Sequence, residues 1–105
     1  MSLDSALDAV ADPTRRAICQ RLAHGGATVG QLAALFPISR PAVSQHLRVL
    51  REAGLVHQPG NQRISAYELA PHPIVEIETW ARIVVDTWRR APTGRAASGP
   101  DGPPG

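Results

Sequence analysis

At 105 residues and 43% hydrophobic content, the chain has material for one small domain with a modest core and no room for a second. A single cysteine, Cys19, excludes an internal disulfide framework and fits a reducing, cytoplasmic setting. No apolar run approaches the ~20 residues that span a bilayer, and the N-terminus lacks a basic-then-apolar leader, so no membrane partner is expected. The net charge is only +2, but it is carried by arginine without any lysine, and the sequence pI is about 9.5. Its distribution is uneven. Residues 13–70 hold seven arginines against Glu52 and Glu68, whereas residues 1–12 hold three aspartates and no base, and residues 71–91 balance three acids with three arginines. A basic middle between acidic or neutral ends is expected where the middle faces phosphate and the ends face protein.

In chain order, Leu3, Leu7 and Val10 recur at i, i+4, i+7 and predict a short first helix to about Ala11, with Asp4 placed to cap it or complement its dipole. One apolar stripe on so short a helix needs a partner. Asp12 then serves as N-cap and Pro13 as first-turn residue of a second helix, buried through Ile18, Cys19 and Leu22 and stopped at His24-Gly25-Gly26. Arg15 and Arg16 lie in its first turn, where backbone N–H groups are free and an anion could bind. Thr28 and Gln31 have capping-box spacing, and Leu32 and Leu35 follow as the buried positions of a short third helix. Phe36-Pro37-Ile38 has length only for a turn.

Ser39 to Leu50 is the stretch on which the functional reading rests. Ser39 is a good N-cap and Pro41 falls where its missing N–H is harmless, so the start of the helix is well specified. Val43, Leu47 and Leu50 make one apolar stripe. Arg40, Ser44, Gln45 and Arg48 fall on the other side, where they can donate to and accept from base edges or hold phosphate. Gly54 ends the helix as a C-terminal cap. Short helix, tight turn and longer helix form the helix-turn-helix arrangement, in which the second helix enters the major groove of double-stranded DNA.

Beyond Gly54, Leu55-Val56-His57 and Ile64 to Leu69 read as two strands around the turn-rich segment 58–62. A hairpin behind a recognition helix is a wing, and Arg63 at its tip, beside Asn61 and Gln62, suits the minor groove or the backbone. Pro71-His72-Pro73 breaks the chain before a last helix from about Ile74 to Arg90. There Ile74, Ile77, Ala81, Val84 and Trp88 form a near-heptad stripe, widened by Trp80, Ile83 and Val85. So much apolar surface exceeds what a small core can cover, and a homodimer interface shared with Leu3, Leu7 and Val10 is its expected use. From Pro92 onward the composition predicts a disordered tail, leaving residues 1–91 as the folded domain.

The block Asp12-Pro13-Thr14-Arg15-Arg16-Ala17-Ile18, the run Ile38 to Leu55 reading ISRPAVSQHLRVLREAGL, and the wing after it together resemble the ArsR/SmtB family of winged helix-turn-helix repressors. The resemblance spans about residues 4 to 90. It implies a mainly α fold of five helices with a two-stranded wing, paired through first and last helices, that represses a promoter, in some cases its own, by occupying an imperfect palindrome. It also implies a point of departure. Metal-sensing relatives place a Cys-x-Cys cluster near the third helix, where this chain has Ala27-Thr28-Val29-Gly30-Gln31, which offers no thiolate. A second family site uses Asp, His and Glu on the last helix; Glu76, Glu78, Asp86 and the preceding His72 supply one histidine at unsuitable spacing. No metal and no cofactor is therefore expected, and any small-molecule effector stays unnamed.

Cys19, beside Ile18 and Leu22, reads as a buried structural thiol. His46 either packs at the helix edge or reads bases. An enzyme would need a nucleophile or an acid–base set in a cleft, and no such grouping stands out. The competing reading is a winged-helix module that binds another protein; the retained Arg40, Ser44, Gln45, Arg48 and Arg63 favour DNA.

Overall fold

The structure is a computed structural model that describes residues 2–60 and 65–92. Its elements are α1 (Leu3–Val10), α2 (Pro13–Leu22), α3 (Val29–Ala33), α4 (Arg40–Glu52), β1 (Val56–His57), β2 (Glu68–Leu69) and α5 (His72–Arg90). The expected five helices and two-stranded antiparallel wing are therefore present. The residues expected at the wing tip, Asn61, Gln62 and Arg63, lie outside the described residues, as does the tail from residue 93.

Local chemistry accounts for most boundaries. Asp12 accepts the Arg15 N–H at 3.0 Å to start α2, and Thr28 and Gln31 exchange reciprocal bonds of 3.1 and 2.9 Å to start α3. Ser39 accepts the Ala42 N–H at 3.3 Å to start α4. The end of α4 is a Schellman closure. The Leu55 N–H reaches the Leu50 carbonyl, the Gly54 N–H reaches Arg51, and Gly54 takes the left-handed conformation at φ 79° that other residues resist. Leu50 and Leu55, joined by this closure, are both fully buried.

The core gathers Ile18, Cys19 and Leu22 of α2, Leu32 of α3, Val43, Leu47 and Leu50 of α4, and Leu55 and Val56 around the start of the wing. All three residues of the α4 stripe are fully buried. Since each buried leucine or valine contributes ~1.5–3 kcal/mol, this stripe fixes the rotation of α4 and so decides which side chains face outward.

The detail of α1 sharpens two expectations, and three others, on Leu35, β2 and the start of α5, need correction. Ser2, not Asp4, caps α1 through the Ser5 N–H; Asp4 sits in the first turn, where only its charge helps. The fully buried residues of α1 are Ala6 and Ala9, small enough for close helix approach, while Leu3, Leu7 and Val10 are half-buried at its margins. Leu35 is 57% exposed, because α3 stops at Ala33 and the helical spacing that would have buried it no longer holds; Phe36 and Ile38 pack on the core in its place. β2 is shorter than the alternating stretch suggests: Val56 pairs with Leu69 and His57 with Glu68, while Tyr67 exchanges backbone bonds with Ala27 ahead of α3. Finally, α5 begins at His72, two residues early, since Pro71 serves as its N-cap and Pro73 falls in its first turn, where a missing N–H breaks no helical bond.

Candidate nucleic-acid interface

Fixed by its buried stripe, α4 packs on α3 and α2 and turns Arg40, Ser44, Gln45 and Arg48 outward, all exposed. Ser44 and Gln45 project from its first half. Arg48 pairs with Glu52 at 3.4 Å, both side chains 67% exposed. An exposed i, i+4 pair contributes only ~0.3–0.5 kcal/mol, so a phosphate can draw the guanidinium away. The Arg40 guanidinium lies over the first turn of α3, so near Gly30 that a Cβ there would meet Nη2 at 3.0 Å. It thereby bridges the two helices of the motif on the outer side.

One basic residue of this face escapes the sequence reading. Arg51 is exposed and its Nη1 donates to Gln58 Oε1 at 3.5 Å, at the root of the wing. The spacing from Ser44 to Arg48 to Arg51, i, i+4, i+7, is the signal that would have found it. Together these side chains form an exposed polar strip with arginine along its length.

Arg15 and Arg16 are placed differently from the expectation of a free anion site. Arg15 Nε donates to the Ala9 carbonyl at 2.7 Å, and Arg16 Nη1 donates to Val10 and Ala11 at 2.9 and 3.0 Å. Both guanidinium groups thus satisfy the unpaired carbonyls at the end of α1, and bind α1 to α2. Arg16 remains exposed enough to reach a phosphate as well; Arg15 is half-buried. His46 turns toward α2 rather than outward, its Nδ1 3.9 Å from the Asp12 carboxylate. The wing-tip residues Arg63 and Gln62 lie outside the described residues.

Cys19 is 6% exposed, and burial pushes its thiol above the ordinary range, so the reactive thiolate is scarce. Alkylation of the native protein by iodoacetamide should run on the order of 100-fold or more slower than in denaturant, as expected when reaction waits on local opening; comparable rates in the two conditions would contradict this placement. Among the described residues no group of three or more His, Cys, Asp and Glu could hold a metal ion. His72 belongs to α5 and lies 3.9 Å from Glu76 one turn on, an exposed i, i+4 pair.

The stripe expected on α5 divides along its length. α5 lies against α1; Ile74 packs on the core, and Ile77 and Ala81 are half-buried. Trp80, beside them, and Ile83, Val84, Val85 and Trp88 toward the C-terminal end are 40–60% exposed. No helix among the described residues is long and apolar enough to cross a membrane.

A short bracing helix, a tight turn, a helix seated on the core by one face with a polar strip on the other, and a two-stranded wing define a winged helix-turn-helix DNA-binding protein. Comparison with known proteins agrees: residues 10–59 match a family described as a helix-turn-helix domain. The chain is 48% identical over 97 residues to the HTH-type transcriptional regulator Rv2034 of Mycobacterium tuberculosis, covering 90% of this chain and 86% of that protein. It is 31% identical over 78 residues to the transcriptional repressor SdpR of Bacillus subtilis, covering 74% and 87%. Among solved structures, the ArsR family transcriptional regulator RHA00566 superposes with a TM-score of 0.74 at 31% identity, covering 84% of this chain and 91% of that one. The protein belongs to the ArsR family of helix-turn-helix transcriptional regulators, and it is a DNA-binding regulator of transcription.

Proposed function

We propose that the protein is a homodimeric repressor, formed by residues 1–91, that occupies an imperfect palindrome in a promoter and excludes polymerase. The observation that carries this reading is the division of α4: Val43, Leu47 and Leu50 are fully buried, which leaves Arg40, Ser44, Gln45, Arg48 and Arg51 as a continuous exposed polar strip. Ser44 and Gln45 read base edges, and the arginines, with Arg16 and the wing residues Gln62 and Arg63, hold phosphate or the minor groove. The exposed apolar row of α5 supports pairing with a second copy, together with the margin residues of α1. Helix-turn-helix dimers set their recognition helices about one DNA turn, ~34 Å, apart, which is why the site should be two-fold symmetric. Similarity to the Bacillus repressor supports repression. A winged-helix module that binds only protein has no use for a strip of arginines flanking glutamine and serine. No enzymatic role and no cofactor is assigned, and the setting is cytoplasmic.

Selection of the full-length protein on a random-sequence duplex pool tests the reading. It should return a symmetric sequence with half-sites one turn apart. Recovery of DNA without a shared sequence would contradict it.

With Ala27-Thr28-Val29-Gly30-Gln31 in the place of a thiolate cluster and Cys19 buried in the core, zinc, cadmium and arsenite should leave affinity for the selected duplex unchanged beyond the effect of ionic strength. A stoichiometric metal that weakens binding tenfold, about 1.4 kcal/mol, would show that ligands exist which the sequence does not reveal.

A further inference from the structure

The contact between the recognition helix and the start of α2 contains a pair of groups that packing alone does not explain. His46 is 21% exposed and its Nδ1 is buried, yet among the described residues that nitrogen has no protein hydrogen-bond partner. The nearest charged group is Asp12 Oδ2, at 3.9 Å. Asp12 is the N-cap of α2: the same oxygen accepts the Arg15 N–H at 3.0 Å, and Arg15 in turn donates through Nε to the Ala9 carbonyl at the end of α1. A single carboxylate therefore stands between the helix that reads DNA and the helix at the margin of the dimer surface.

The protonation state of the imidazole decides what this contact is worth. A neutral ring can present either a lone pair or an N–H at Nδ1, and a lone pair facing a carboxylate is repulsive; an imidazolium presents N–H on both nitrogens. We propose that His46 is a positioning residue for DNA recognition, which on taking up a proton closes onto Asp12 and locks α4 against the α1–α2 corner in its DNA-reading orientation.

The effect on binding follows from population. If the competent orientation of α4 is only partly occupied, apparent affinity falls by that fraction, and a charge-assisted bond across the α2–α4 contact restores it. Asp12 keeps its negative charge throughout, because the Arg15 backbone N–H, with smaller contributions from the His46 and Arg15 charges, holds its carboxyl below the usual range. The charged groups at this corner include Asp12 and, opposing the imidazolium, Arg15 and Arg16; Asp8 of α1 faces α4 beside Glu52, which pairs with Arg48. Histidine is the side chain whose ordinary titration falls between pH 5 and 8. The locked state is thus favoured where the imidazole carries a proton and lost where it does not.

The inference rests on the reading of α4 as the base-reading helix, and the test separates the two. Full-length wild type, Asp12→Asn and His46→Gln are titrated by fluorescence anisotropy with the duplex that the wild type selects from a random pool and with a random duplex. The series runs from pH 8 to pH 6 at constant ionic strength. Asparagine caps a helix as well as aspartate, so Asp12→Asn removes the charge and keeps the cap; equal thermal midpoints of the two proteins at pH 8 check this. The ratio of affinities for the two duplexes cancels the general attraction that other surface histidines add on protonation. For wild type this ratio should rise roughly fivefold toward pH 6, the size expected of a charge-assisted bond weakened by partial exposure, and it should stay flat in both variants. A rise in Asp12→Asn equal to that of wild type overturns the role of His46. A wild type that fails to discriminate the duplexes at any pH overturns the reading of α4, and the positioning role with it.

Discussion

Replacing Val84 and Trp88 together by glutamate should convert the protein to monomers and weaken binding to the selected duplex by about 100-fold or more, with helical content unchanged. Both side chains are about half exposed, at 48% and 52%, and neither belongs to the buried core, so the substitutions leave the core of the subunit intact. Two carboxylates placed in an apolar dimer contact must be desolvated without a partner, which association cannot offset. The loss in DNA affinity follows from linkage. Once one half-site is bound, a tethered second subunit binds at millimolar effective concentration, a gain of 10²–10⁴ that monomers forgo. Sedimentation velocity at micromolar protein, beside anisotropy titrations, measures both effects; a wild type that sediments as a monomer would remove the basis for the prediction. Ile77 is a poorer choice for this experiment, because it is half-buried against the chain's own α1 region and its loss would confuse unfolding with dissociation.

Leu47→Ala should lower unfolding free energy by about 2–5 kcal/mol, the range for a fully buried leucine whose cavity cannot collapse. Leu47 has no exposed surface and lies in the core on α4, the helix that α2, α3 and the strand β1 all contact. Against a total of roughly 5–15 kcal/mol, this is enough to bring the midpoint down by 10–25 °C or so. DNA binding should fail in parallel with folding and recover on cooling, since no outward side chain has changed. Leu35→Ala supplies the contrast: that leucine is 57% exposed, and its truncation should shift stability by no more than about 0.5 kcal/mol. Differential scanning calorimetry of the two variants distinguishes these outcomes, and equal losses would mean that the core has been misplaced.

The difference between Leu47 and Leu35 shows what can be read from the chain and what cannot. Where a helix is long and its caps are explicit, as from Ser39 through Gly54, periodicity names the buried face correctly and the outward residues follow. Where a helix is a single capped turn, as at Thr28 to Ala33, the spacing that would bury a residue at position 35 assumes a helix that has already ended. The fate of Arg15 and Arg16 was hidden for another reason. Both occupy a first turn with free N–H groups, but that the carbonyls at the end of α1 lie within their reach is set by how α1 meets α2, which is a tertiary fact. His46 belongs to the same class, since helical spacing places it at the edge of the buried stripe and only the packing of α2 sets Asp12 beside it. The apolar face of α5 is legible as a whole, whereas its division into half-buried Ile74, Ile77 and Ala81 and exposed Val84 and Trp88 is not, because that boundary depends on tertiary packing.

The claim on which the account stands is that the outer strip of α4 reads sequence, and the most direct measurement is the affinity of Gln45→Ala for the selected duplex and for a random one across a salt series. Gln45 is exposed in the first half of the helix, and its amide can pair bidentately with adenine. Its removal should lower affinity for the selected duplex by about 1–3 kcal/mol, leave binding to the random duplex nearly intact, and leave the salt slope unchanged, since no phosphate contact is lost. Equal weakening on both duplexes would mean that α4 holds DNA without reading it, and would contradict the account.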